Sequence, residues 1–162
     1  GGAPVIAHPP CRAWGRLRAL ANPRADEREL AIFAVAQVRR CGGVLEHPAG
    51  STLWAAAGLP APGRVDNFGG WTLPILQSDF GHRAAKKTWL YIVGCDRRDV
   101  PVPEIVLGEA SHIIGSSGRR ADGGRLHKGD MGWRPEVSKA EREGTPARLA
   151  FWLVELAERC KK

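Results

Sequence analysis

Paired cysteines are missing from this chain. Its four cysteines (Cys11, Cys41, Cys95 and Cys160) stand 30 to 65 residues apart. No CxxC pair exists to build a tetrahedral zinc site, and a disulfide-stapled secreted scaffold would be denser in cysteine. Reduced thiols and no metal are the expectation. Long apolar runs are lacking too, which excludes a membrane-spanning helix and leaves no membrane partner to expect. Gly1-Gly2-Ala3-Pro4 has neither the basic nor the apolar region of a signal peptide, so a cytoplasmic location is expected. No internal repeat is found, and no glycine-rich loop opens a helix to cradle a nucleotide.

What is present fits one folded domain. The 162 residues are 43% hydrophobic and 25% charged, enough apolar side chain for a single core. The charge is uneven: residues 1–81 carry 8 basic and 6 acidic side chains, residues 82–162 carry 16 and 11. The resulting surplus of +7 attracts polyanions, of which nucleic acid is the commonest. A merely solvated basic surface is the alternative.

Val5-Ile6-Ala7 is a short apolar run that stops at His8-Pro9-Pro10, as a buried strand entering a stiff loop does. Leu30, Phe33, Ala34, Val38 and Cys41 keep helical spacing, with Glu27 and Glu29 early and Arg39-Arg40 late, an order that suits the helix dipole. Gly42-Gly43 stop that helix, and Val44-Leu45-Glu46-His47-Pro48 reads as a second strand. Strand, helix and strand make a βαβ unit, hence parallel strands. The expected fold is α/β, a small, mainly parallel, Rossmann-like sheet flanked by helices. Ligands gather at the carboxyl ends of such strands, where residues 8–11 and 46–48 both fall. A short helix capped by Ser51, strands over residues 71–76, 88–93, 105–107 and 112–114, and a last helix after Thr145-Pro146 complete the reading. Residues 118–134 hold five glycines and five basic side chains, the composition of a mobile basic loop.

Cys11 lies just past a strand on a loop stiffened by two prolines, with Arg12, Arg16 and Arg18 close in sequence. A thiolate nucleophile needs such a defined position, exposure and nearby positive charge. A lone cysteine is more often a small buried hydrophobe; Glu46, at the end of the adjacent strand, changes the balance. A thiolate beside a carboxyl group suits addition to a pyrimidine, the thiolate attacking C6 while the acid serves N3. His8 and His47 are candidate acid–base groups beside them, or simply strand-end residues.

Pro9-Pro10-Cys11 resembles the proline-cysteine motif of DNA cytosine-5 methyltransferases, which carries their nucleophile. Glu46-His47-Pro48, thirty-five positions on, is similar to their Glu-Asn-Val motif, often Glu-Asn-Pro in phage-type relatives. Phe80-Gly81, then Lys87 and Trp89-Leu90-Tyr91-Ile92-Val93-Gly94, resembles their Tyr-Gly, Gln-x-Arg-x-Arg and apolar strand; Lys87 falls on the first arginine. Arg142 and Thr145-Pro146 are similar to the later Arg-x-x-Thr-Pro region. The matches cover residues 4–94, with weaker ones beyond. His47 replaces asparagine, most of the arginine cluster is lost, and the Phe-x-Gly-x-Gly loop for S-adenosylmethionine is not in this sequence.

The resemblance implies a DNA-modifying protein of bacterial or phage-infected cells, with Cys11 as nucleophile and Glu46 assisting at N3 of a flipped base. Arg12, Lys87, Arg119 and Arg120 are then expected on the DNA, with Trp14 stacking and His47 in the base pocket. S-adenosylmethionine is implied as cofactor if a preceding segment supplies its site. Two other readings stay open: a non-catalytic DNA-binding protein that retains the base pocket, and an enzyme of free pyrimidine nucleotides.

Overall fold

A computed structural model of the chain describes residues 2–16 and 18–162. The chain divides into two compact units, one made of Gly1–Ile75, Lys87–Pro103 and Phe151–Lys162, the other of Leu76–Lys86 and Glu104–Ala150. In chain order the regular elements are β1 (Val5–Ala7), α1 (Glu27–Cys41), β2 (Gly43–Pro48), α2 (Leu53–Ala56), β3 (Trp71–Leu76), β4 (Lys87–Val93), α3 (Lys139–Glu143) and α4 (Ala147–Arg159). The fold is α/β, and the strands form one sheet in the order β1-β2-β4-β3.

The βαβ unit is present: β1 pairs with β2 in parallel, Val5 opposite Gly43 and Ala7 opposite Leu45, with α1 as the crossover. The sheet is nonetheless mixed rather than mainly parallel. β4 runs antiparallel to β2, from Pro48↔Thr88 to Gly43↔Val93. A parallel partner needs a crossover back to the far edge; here the chain starts β4 at the edge where β2 ends.

Strand alternation divides the sheet's side chains between two faces. Leu45, Tyr91 and Val93 share one face and pack with Ala31, Val35 and Val38 of α1 and with Leu53 and Trp54 of α2. Val44, Leu90 and Ile92 lie on the other and are as fully buried. α4 buries Leu149, Trp152, Leu153 and Leu156, with Cys160 buried just past its end, and the chain there is tied to the end of β4 by Lys161 N–H donating to the Gly94 carbonyl at 2.8 Å. Trp152 Nε1 donates to the Pro101 carbonyl at 2.8 Å.

The second unit has little regular structure. No strand forms over residues 105–107, and Leu107 is exposed; residues 112–114 contribute only isolated bridges, His112 to Ala84 and Ile113 to Glu136. Too few neighbouring backbone groups run alongside for a ladder to grow. Residues 118–134 are a run of turns, with Arg120 N–H donating to the Gly124 carbonyl and Leu126 N–H to that of Gly118. α3, absent from the sequence reading, is capped by Ser138, whose hydroxyl accepts from Glu141 N–H.

Gly43 is the tightest point in the sheet. A Cβ there would lie 2.0 Å from the Val5 carbonyl oxygen, and its φ is +126°, a region costly for any L side chain. Gly43→Ala is therefore expected to lower stability by about 3 kcal/mol or more. Urea titration checks the loss, and amide hydrogen exchange should localise it to residues 5–7.

Candidate active site

The chain leaves β1 at Ala7 and enters His8-Pro9-Pro10-Cys11-Arg12. Each proline fixes its own φ and holds the residue before it extended. Contacts to β2 then set where this stiff segment runs. His8 Nδ1 lies 2.5 Å from Glu46 Oε2; the carboxyl side chain is 8% exposed and the imidazole 41%. Further along, the Pro10 backbone approaches His47; proline has no N–H, so the group is its carbonyl. Glu46 and His47 point to opposite faces of β2, so the loop passes over the carboxyl end of the strand.

A turn follows. The Cys11 carbonyl accepts from Trp14 N–H at 3.0 Å and Gly15 N–H at 2.7 Å, and the Trp14 carbonyl accepts from Thr52 N–H at 3.0 Å. The loop is thus tied to both β2 and the start of α2. Cys11 is exposed, whereas Cys95 and Cys160 are buried, and none of the cysteines is in a disulfide. Burial pushes the Cys160 thiol up to about 12 and raises that of Cys95, which leaves both protonated and inert at neutral pH.

Arg12 takes a different part from the one expected. It forms an ion pair with Glu27, the first residue of α1, whose side chain is fully buried. Glu27 Oε2 has no hydrogen-bond partner, so Arg12 is the main compensation for that charge. Arg12 therefore pins the cysteine loop to α1, and its charge is already engaged there. Sequence reading assigned Glu27 to the helix dipole; a pairing fifteen positions apart through a loop leaves no periodic signal.

Trp14 does not fit the stacking role. It is 4% exposed, in the cluster with Val35 and Leu53, and the Arg28 guanidinium lies 4.7 Å from its ring centroid. No open ring face remains for a base. His47 is 1% exposed, 6.4 Å from the Trp54 ring centroid, and neither ring nitrogen makes a well-aligned hydrogen bond. Burial lowers its pKa to about 4, against weaker opposing effects of the Glu46 charge and the Pro10 carbonyl. At neutral pH it is an uncharged wedge under the loop, out of a ligand's reach.

Lys87 is exposed at the first position of β4, and its carbonyl accepts from Ala49 N–H at 3.0 Å. The antiparallel register thus sets Lys87 beside the end of β2, at the Glu46 edge. Arg119 and Arg120 belong to the second unit. Arg119 Nη1 donates to the Gly123 carbonyl at 2.8 Å, and Arg120 lies 3.5 Å from Asp122 and 3.9 Å from Asp130. In the same unit, Phe80 is buried. His82 bonds the Glu141 backbone at 3.1 Å, and Arg83 pairs with the Glu141 carboxylate, holding it below its ordinary pKa.

The residues present do not fit an S-adenosylmethionine site. Glycines at the sheet whose missing Cβ leaves room for a neighbour have that room filled by this chain itself: Gly43 by Val5, Gly70 by Tyr91, Gly94 by Lys161. None of these three cradles a ligand.

No protein-family model matches the chain, and neither a curated protein nor a solved structure is significantly similar to it.

The burial of His47 makes a pH dependence. Its folded pKa lies below the unfolded value, so the unfolded chain binds the proton first and stability falls as pH drops. The loss begins near 6.5, ends near 4 and amounts to roughly 3 kcal/mol. Urea titrations across that range should show it, and His47→Asn should remove that slope. Arg12→Ala strands the buried Glu27 carboxylate and is expected to cost about 3 kcal/mol in the same titration at neutral pH. A residue serving only a phosphate contact would leave stability unchanged.

Proposed function

We propose that this chain is a DNA-modifying protein of the cytosine-5 methyltransferase type, acting on a pyrimidine flipped out of the duplex. One observation carries the reading: the loop bearing the exposed Cys11 is bonded through His8 to Glu46, a carboxyl group at the end of the neighbouring strand. In this reading a nucleophile on the loop after β1 and an acid on β2 share the carboxyl end of the two parallel strands. The resemblance of Pro9-Pro10-Cys11 and Glu46-His47-Pro48 to that family supports the same assignment.

In this reading the Cys11 thiolate adds to C6, which is unreachable inside the base stack. Glu46 donates to N3 as charge develops on the ring, so that C5 becomes nucleophilic. The pyrimidine then takes an electrophile or a proton at C5, and loss of the C5 hydrogen expels the thiolate. Lys87 offers its charge to a phosphate at the same edge, with Arg119, Arg120 and the 118–134 segment as further backbone contacts. Arg12 and His47 hold the loop in place, and Cys11 and Glu46 alone touch the base. The net positive charge is the observation that favours a second reading, DNA binding without chemistry.

Exchange of the cytosine C5 hydrogen with solvent decides between them, because it needs the C6 adduct and no methyl donor. The protein is incubated with duplex DNA carrying tritium at cytosine C5, and released tritium is counted. Release is expected from the native chain, none from Cys11→Ser, and a fall of about 100-fold or more in Glu46→Gln. Affinity for DNA without release would establish the binding reading instead. Neither signal would sink both.

A further inference from the structure

Glu46 has a supply problem that its surroundings solve. To assist at N3 a carboxyl group must gain and lose a proton in each cycle, yet its side chain is 8% exposed. On β2 it stands between Val44, which is fully buried, and Pro48, opposite the fully buried Leu90. Water has little access from the sheet. The His8 imidazole is a polar group in contact with the carboxylate from the loop side, Nδ1 to Oε2 at 2.5 Å. That ring is 41% exposed, and its second nitrogen, Nε2, forms no hydrogen bond with the described residues. Pro9 and Pro10 stiffen the chain on its far side and β1 anchors the near side, so the ring is held by backbone rather than by chance.

We propose that His8 is a positioning and proton-relay residue that links Glu46 to solvent. The proposal rests on the cysteine-addition reading above. As the Cys11 thiolate forms its bond to C6, Glu46 gives its proton to N3 and is left as carboxylate. His8, neutral with its proton on Nδ1, passes that proton to Glu46 while its bare Nε2 takes one from solvent. When the thiolate leaves, N3 returns its proton to Glu46 and the relay runs backwards. No electrons are exchanged with another reagent, and the proton count closes over the cycle. Of the neighbouring titratable groups, His47 on the opposite face of β2 is coupled electrostatically to Glu46.

The tritium-release assay with the full chain tests the relay. His8→Asn keeps a polar group without a titrating proton, and His8→Ala leaves a gap for free imidazole. Both are expected to release tritium about 100-fold more slowly with unaltered DNA affinity; His8→Ala also melts lower because it leaves the buried Glu46 without this contact, so rates are compared well below either midpoint. Imidazole added to His8→Ala should restore the rate at least about tenfold, and His8→Asn should lose one limb of the pH profile. A wild-type rate in His8→Asn, or a His8→Ala rate that imidazole does not raise, overturns the relay while leaving the cysteine chemistry intact. A native chain that releases nothing overturns the parent reading instead. The dyad is then judged by NMR titration of the His8 imidazole without DNA: a midpoint that moves in Glu46→Gln supports the proton link, and an unmoved midpoint removes it.

Discussion

The closeness of Gly43 to Val5 is the constraint on which the arrangement at the sheet's edge depends. A three-residue strand has few ladder bonds to secure it, and β1 is held against β2 at a separation only a residue without Cβ permits. From that alignment follows the height at which the chain leaves β1. His8 then meets Glu46, and Pro10 reaches His47. Had the register slipped by one residue, the side chains leaving β1 would exchange faces, and His8 would no longer face the carboxyl group.

Glu46 and His47 are neighbours in sequence and opposites in environment. Strand alternation turns the first toward the loop's imidazole and the second into an aromatic cluster with Trp54, itself edge-on to Trp89. The two ionisable groups of one short motif therefore behave differently: one stays joined to a polar partner, the other is neutralised by loss of water. The loop above them is gripped from both sides of the same strand. Such a grip limits how far Cys11, one peptide beyond Pro10, can wander.

Much of this was legible in residue order, and the misses share a cause. The βαβ unit was readable because glycine and proline punctuate it; the face α1 buries is Ala31, Val35 and Val38, while Leu30 and Phe33 of the expected face are exposed. The carboxyl-end location of residues 8–11 and 46–48 followed from that unit alone. The antiparallel placement of β4 was not readable, since an apolar run such as Trp89-Leu90-Tyr91-Ile92-Val93 suits a buried strand of either direction. Trp14 in a loop and Arg12 beside the cysteine looked available for a ligand; each is engaged by a group distant in sequence, the core cluster in one case and Glu27 in the other. Burial of a loop residue and pairing across an irregular segment leave no periodicity to detect. His8 gave a type and a position, but its role depended on a contact thirty-eight positions away.

The excursion from Leu76 to Lys86 has a bearing on how such a chain can change over time. Its two ends meet, Gln77 N–H donating to the Lys86 carbonyl at 3.0 Å, before the chain takes up β4 at Lys87. A segment pinched shut at its base can trade its solvent-facing residues without shifting the strand that follows. Within this stretch the exposed Ala85 can be traded while the buried Phe80, His82 and Ala84 stay fixed, and the register of Thr88 against Pro48 stays as it is. Descent with modification has a narrow margin here, confined to the positions that face solvent.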